Sequence, residues 1–501
     1  MNSADFFRAR LDQMIDLRHP LAVLARRMPW EQIEQQLSAL FVHKNRPGLA
    51  KEVVGLFGPS VQIAGGGVSN AGRPRLPIRL MAALLYLKYA YNESDESLVE
   101  RWSQDVYFQY FSGMAYFEPR LPCDATQIGR FRTVIGEAGV EEILKATIDT
   151  ALKSKAIKPA DFERVIVDTT VQEKAVAFPT DSRLLEIARY QVVKAAKAAG
   201  IPLKQTLAGE GKRLRRRAGG YAHAKQFKRL RRVLKRQRTV LGIVMREVRR
   251  KMVNLDQKHM AVIRLETILE RAQRLCTQQP KDKNKLYAMH APEVECIGKG
   301  KAKQPYEFGV KTSIAVTHRG GLVVGARTFP GNPYDGHILS AQLEQTTILL
   351  EDIGKQPKQV FVDLGYRGVD ADNPGVDIIH RGKAKSLTQE QRRWLKRRQA
   401  IEPVIGHLKS DHRMSRCWLK GEVGDAINAV LSAAGYNLRW LLRAVAAGVI
   451  KPIYFVQILW WMISEIRLAA DTGAQKKRGN AWHGDWCLGH RAGFMHLDVV
   501  K

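Results

Sequence analysis

Three carboxylates stand out by their surroundings. Asp168 closes the apolar run Val165-Ile166-Val167, Asp363 closes Val360-Phe361-Val362, and Glu402 sits in Arg398-Gln399-Ala400-Ile401-Glu402-Pro403-Val404-Ile405-Gly406-His407-Leu408-Lys409. Carboxylates converging from separate elements offer hard oxygen donors to magnesium, which keeps several waters and needs few protein ligands. Two such cations, about 3.5–4 Å apart, can activate an attacking oxygen and stabilise a leaving one when a phosphodiester is cut. A lone aspartate after an apolar run is ordinarily a turn or cap residue. Two in succession, followed by a glutamate, form a set that could hold metal. At about 100° per residue, Arg398, Glu402 and Lys409 fall within roughly 40° of one another on a helix, so two cations would flank the carboxylate. That suits a metal ligand beside a phosphate; the alternative is a plain surface ion pair between Arg398 and Glu402. Pro403 disfavours a helical Glu402 and can begin a new helix there. Competing acids are Glu173 after the first strand, Asp335 in a Pro-Gly-Asn-Pro-Tyr-Asp turn, Asp370 and Asp372 in a loop, and Asp377 in a short strand.

These residues need a scaffold that brings them together. Phe162 to Asp168 reads as a buried strand ending on its carboxylate. Phe308, Val310, Ile314 and Val316 alternate onto one face, His318 to Gly321 supplies a turn, and Leu322 to Phe329 returns as a second strand of a hairpin. Leu339, Leu343, Thr346 and Leu350 have helical spacing; Gln359 to Asp363 and Val376 to Ile379 read as strands, and a helical region starts near Leu387. From about 182 to 290 the chain reads as a basic helical insertion. Leu241, Met245, Val248, Met252 and Leu255 give it the 4-3-4-3 seam of a helical hairpin or coil. Without the insertion, this is the element order of a ribonuclease H-like α/β sheet, in which the two aspartate-bearing strands lie side by side.

Upstream, residues 1–60 read as helices. Gly65 to Pro77 breaks regular structure with four glycines and two prolines; Arg73 and Arg75 make it either a basic linker or an arm suited to a narrow minor groove. Ile78 to Gly113 reads as two helices joined at Asn92 and Ser94, resembling a helix-turn-helix, and Ala125 to Ser154 as a further helix. The resulting division is 1–125 helical and for DNA binding or assembly, 126–160 connector, 161–450 catalytic with the insertion, and 451–501 a C-terminal helix and tail. The tail from about Thr472 has no reading.

Lysine plus arginine total 81 against 49 acids among 501 residues, a formal charge of +32. Such an excess calls for a polyanion, with nucleic acid ahead of an acidic membrane. The longest apolar stretch is about half a membrane span and the start lacks a secretory core, so a cytoplasmic location is expected. Cys123, Cys276, Cys296, Cys417 and Cys487 stand singly, against a disulfide framework or zinc site. From Lys204 to Lys251 there are 18 Lys or Arg against Glu210 and Glu247. The densest cluster, Lys212, Arg213, Arg215, Arg216 and Arg217, is expected to meet DNA phosphates.

The motifs VIVDTTVQEKAV, VFVDLGYRG and IEPVIGHLKSDHR resemble the acidic triad of bacterial insertion-sequence DDE transposases, in the insertion sequence five family. PIRLMAALLYLKYAYNESDESLVERWSQDVYFQYFSG and KLYAMHAPEVECIGKGKAKQPYEFGVK are similar to that family's amino-terminal domain and second-strand entry, and the likeness spans roughly residues 70–445. It implies Asp168, Asp363 and Glu402 as catalytic magnesium ligands, with manganese able to substitute. It also implies cut-and-join chemistry at terminal inverted repeats in double-stranded DNA, and a homo-oligomer, a dimer in the synaptic complex. A related signature, Tyr-x2-Arg-x3-Glu-x6-Lys, is met by Arg398, Glu402 and Lys409, but Leu395 stands at its tyrosine position beside Trp394. Tyr366 and Arg367 follow Asp363 as candidate DNA contacts or as turn residues. A metal-dependent nuclease without joining activity, or an inactive DNA-binding copy, is the alternative. A tyrosine recombinase is excluded because His43-Lys44-Asn45-Arg46, the one matching motif, lies at the wrong end of the chain. A noncatalytic DNA-packaging or RNA-binding protein would not need acids at two strand ends.

Overall fold

The computed structural model describes residues 9–451 except 42–48, 56–57, 65–74, 254, 257–258, 280, 284, 299–304 and 384, with backbone only for 49–64. Arg73 and the expected helix and tail beyond Lys451 lie outside the described residues. Helices α1 (Leu11–Met14), α2 (Pro20–Arg27) and α3 (Trp30–Ala39) open the chain, followed by strands β1 (Leu49–Gly55) and β2 (Gly58–Ala64). These strands correct the all-helical expectation for residues 1–60: they pair antiparallel from Leu49 with Ala64 to Gly55 with Gly58. Val53, Val54, Val61 and Ile63 are β-branched residue types that favour a pleated strand.

Helices α4 (Ile78–Ala90), α5 (Asp95–Gln104), α6 (Val106–Phe111) and α7 (Ala125–Lys153) follow. Ser94 Oγ accepts the Ser97 N–H and caps α5, while Asp105 accepts the Tyr107 and Phe108 N–H groups and caps α6. The run read as one helix is thereby split at Asp105. Helix α7, read as a connector, bends at Gly136 (φ 59°) and places Ile143, Leu144 and Ile148 in the same hydrophobic core as the sheet described next.

The remaining elements are β3 (Arg164–Glu173), the insertion helices α8 (Asp181–Ala198), α9 (Ala208–His223), α10 (Phe227–Met252) and α11 (Met260–Thr277), then β4 (Glu295–Gly298), β5 (Tyr306–Thr317), β6 (Val323–Phe329), α12 (Leu339–Leu349), β7 (Gln359–Phe361), β8 (Asp377–Ile379), α13 (Gln389–Lys396), α14 (Ile401–Asp411) and α15 (Gly421–Ala446). The fold is mixed α/β. Across the sheet the order is β6-β5-β3-β7-β8, and β4 joins β5 on the edge that β6 uses further along. Strand β3 is antiparallel to β5 and parallel to β7, which is parallel to β8. The four-residue β4 had no separate sequence signal.

The insertion has its own core. Leu184, Leu185 and Val192 of α8 meet Leu241, Val244, Met245 and Val248 of α10 and Leu265 and Leu269 of α11. The expected seam is there, with Met252 and Leu255 partly buried at its end. It is one of two, because Val233 and Val240 of α10 also pack on Leu214 and Ala218 of α9. An apolar stripe wider than a coil's seam needs partners on both sides, so four helices form in place of a hairpin or coil. Among the described residues no helix is long and apolar enough to cross a membrane.

Candidate active site

The pairing of β3 with β7 runs from Arg164 opposite Gln359 to Ile166 opposite Phe361. Asp168 and Asp363 each lie two residues beyond that last pair, so the parallel register carries both to the same end. Strand β3 does not stop at its aspartate as expected. It continues to Glu173 because β5 pairs with it over its whole length, after the shorter β7 has ended. Asp168 therefore sits in mid-strand where its parallel neighbour stops. Its Oδ1 accepts the Thr169 N–H at 2.8 Å, and Arg398 Nη1 lies 3.3 Å from its Oδ2. Burial pushes the Asp168 carboxyl above the usual aspartate range against the pull of Thr169 N–H and Arg398, and the nearby Asp363 adds to the push. Asp363 Oδ1 accepts the Gly365 N–H at 2.8 Å and caps the tight turn Leu364–Tyr366.

Glu402 reaches this region through the same arginine: its Oε1 is 3.6 Å from Arg398 Nη2, and its side chain is 61% exposed. A 3-10 turn, Arg397–Ala400, precedes α14, which begins at Ile401 with Pro403 in its first turn. Glu402 is thus helical; the break that Pro403 requires falls before Ile401, because a first-turn proline loses no internal hydrogen bond. Glu402 and Lys409 both lie on α14 and keep their two-turn spacing, yet the lysine takes another partner. Lys409 pairs with buried Glu307 of β5, Nζ to Oε2 3.3 Å, so of the two expected cations it is Arg398 that meets Glu402.

Asp335, read as a turn acid, belongs to this neighbourhood. Its Oδ1 accepts from Thr169 Oγ1 at 3.1 Å and from Lys311 Nζ at 2.9 Å. A Cβ on Gly365 would lie 3.0 Å from Asp363 Oδ1 and 3.2 Å from Asp335 Oδ2, so the two carboxylates face each other across that glycine. The turn motif gave no sign of this; the hydrogen bond to Thr169 joins residues 166 apart in sequence. Tyr366 is fully buried and cannot touch DNA, which corrects one of its two readings. Its phenol, beside Ser313, forms no hydrogen bond of good geometry, and burial together with Asp168, Asp335 and Asp363 holds it well above its ordinary range. Arg367 is exposed beside His380 and Gly382.

The chemistry of these donors fits a divalent cation. Asp168, Asp363 and Asp335 present carboxylate oxygens from neighbouring elements, and Glu402 stands across Arg398. Among the described residues no three such side chains already form a closed metal cage. Away from the sheet, Lys212, Arg213, Arg215, Arg216 and Arg217 are all exposed on α9, while Leu214 and Ala218 turn inward. Arg75 is exposed, its guanidinium 4.2 Å over the Phe41 ring.

Residues 61–134 match a family model described as a transposase domain, DUF772, and residues 274–438 match one described as a transposase DDE domain. The second match contains Asp335, Asp363, Arg398, Glu402 and Lys409; Asp168 lies before it, across the insertion. A protein of Rhizobium meliloti named "uncharacterized protein ORF8 in nfe locus" is 40% identical over 223 residues, which cover 44% of this chain and 95% of the relative. No solved structure matches the chain. With two transposase models matched in succession, the second spanning the Asp363 strand and the Glu402 helix, the chain belongs to the DDE transposases.

Proposed function

We propose that this transposase is of the insertion sequence five type, with a ribonuclease H-like core. It binds the terminal inverted repeats of its element and cuts and joins DNA strands with Asp168, Asp363 and Glu402 at the reacting phosphate. The observation that carries the reading is the register of β3 and β7, which sets Asp168 and Asp363 side by side with Arg398 reaching from one of them to Glu402. Magnesium, with manganese able to substitute, would be held by these three carboxylates and would supply an activated attacking oxygen and a stabilised leaving one. Arg398 orients Asp168 and offers a cation to the phosphate, while Thr169 N–H fixes the other carboxylate oxygen. The exposed cations of α9 would hold DNA by its backbone, in the nucleoid of a bacterial cell, and two copies would hold two ends.

A nuclease that cuts without joining would use the same carboxylates. The large cationic surface of the insertion favours the transposase, because gripping two ends takes more DNA surface than nicking one duplex. The test is incubation with magnesium and a duplex carrying one end of the encoding element plus a target plasmid. Cut ends covalently joined to target support the reading; cut ends that never join leave the nuclease, and no cutting by a chain that binds the ends leaves the inactive copy.

A further inference from the structure

At the start of β3, four residues before Asp168, lies a cavity of about 610 Å³, lined by Asp161 and Arg164, by His318 and Arg319 of the β5–β6 turn, and by Arg393, Trp394, Lys396 and Arg397 of α13 and the turn after it. Five of these are arginine or lysine and one is an acid. Asp161 is engaged locally, its Oδ2 accepting the Lys158 N–H at 3.1 Å. Arg397 is fixed by donating from Nε to His318 O at 2.8 Å and from Nη2 to Arg319 O at 2.6 Å. Arg164 is fixed with its guanidinium 4.3 Å over the Trp394 ring, and His318 Nε2 meets Trp394 O at 2.9 Å. Arg319, Arg393 and Lys396 are exposed, and among the described residues none of the five cations has an acidic partner. Unpaired positive charge on a preformed, partly rigid wall is stabilised by an anion. The anion of a DNA duplex is its backbone phosphate, which arginine forks and a lysine ammonium take as charge-assisted hydrogen-bond acceptors.

The cavity is joined to the carboxylates. Side chains alternate along a strand, so Arg164, Ile166 and Asp168 share one face of β3. Trp394 covers Arg164 and Arg398 reaches Asp168, so α13 and the turn after it run along that face. Four strand residues at about 3.3 Å each put the cavity about 13 Å from Asp168. With DNA rising about 3.4 Å per nucleotide, that is about four nucleotides. We infer that this cavity is a second backbone site, holding a phosphate of the duplex that lies in the active site, within about four nucleotides of the bond cut there. The inference rests on the transposase reading above.

The experiment uses the full chain, the encoding element's end duplex, and a set of such duplexes each carrying one neutral methylphosphonate linkage. In the wild type, one linkage within about four nucleotides of the cut should weaken binding about tenfold. In the triple variant Arg319→Gln, Arg393→Gln, Lys396→Gln, that linkage should cost nothing further. The log-log salt slope should also shrink by roughly 0.9 for every phosphate the variant no longer neutralises. These are exposed side chains, and an unchanged melting temperature confirms that the variant folds. A variant with the wild-type salt slope and methylphosphonate profile overturns the second site and leaves the transposase reading standing. A wild type that binds no end duplex overturns both.

Discussion

Arg398 donates from Nη1 to Asp168, 230 residues earlier in the chain, and its Nη2 lies 3.6 Å from Glu402. One partly buried guanidinium thus links the central strand of the sheet to the first turn of α14. Removing it leaves the Asp168 carboxylate with the Thr169 N–H but without its cation, next to Asp363. Arg398→Ala should lower end cleavage by at least a hundredfold, about 2.7 kcal/mol in transition-state stabilisation. Arg398→Lys should recover only part, because an ammonium cannot reach both carboxylates as a planar fork does. Single-turnover cleavage of an end duplex, measured beside equilibrium binding, checks this.

Asp168→Asn, Asp363→Asn and Glu402→Gln should each abolish strand cleavage and leave end binding intact or slightly tighter. An amide is a poorer ligand for a hard cation, and each change removes a negative charge near phosphate. Glu173→Gln and Asp372→Asn should keep most activity. If Glu402→Gln cuts at near wild-type rate, the third ligand is another acid, and Asp335, which faces Asp363 across Gly365, is the one to test next.

Neutralising Lys212, Arg213, Arg215, Arg216 and Arg217 together should weaken binding to all DNA sequences alike. These side chains are exposed on α9 and the inward face of that helix is carried by Leu214 and Ala218, so folding should be unaffected. Binding isotherms across a salt series should flatten by roughly 0.9 in log-log slope for each phosphate that α9 ceases to neutralise. An unchanged slope would remove α9 from the interface.

His412 gives the fold an acid limit. Its Nδ1 lies 2.8 Å from Tyr89 O, and burial, helped by Arg439 and Arg443 against Asp411, lowers its pKa to about 4. The unfolded chain would protonate it near its ordinary value of 6.5, so the unfolded state binds more protons between those limits. Stability from this group is complete above about pH 6.5 and is lost as pH falls toward 4, by about 1.4 kcal/mol per unit and roughly 3 kcal/mol in all. Urea unfolding from pH 7 to 4 should show this decline, and His412→Gln should flatten it.

The acids of the candidate site stand out in the sequence because they are marked by residue type and local order. β-branched runs ending on Asp168 and Asp363 announce strands and acids whatever their neighbours do. The repeat of Leu241, Met245 and Val248 likewise announces a buried helical seam, and +32 announces a polyanion. None of these patterns contains the register between strands. It took the β3–β7 pairing to bring Asp168 level with Asp363, and the longer β5 to carry β3 past its aspartate. Asp335 looked like any turn acid until the fold set it between Thr169 and Lys311, and Tyr366 looked free to touch DNA until it was buried beneath three carboxylates. Lys409 kept its helical spacing from Glu402 and still paired with Glu307, because packing of α14 beside β5 brings that buried acid within reach. Local spacing limits which residues can meet along one element; only packing decides which meet between elements, since burial and desolvation act on side chains far apart in the chain.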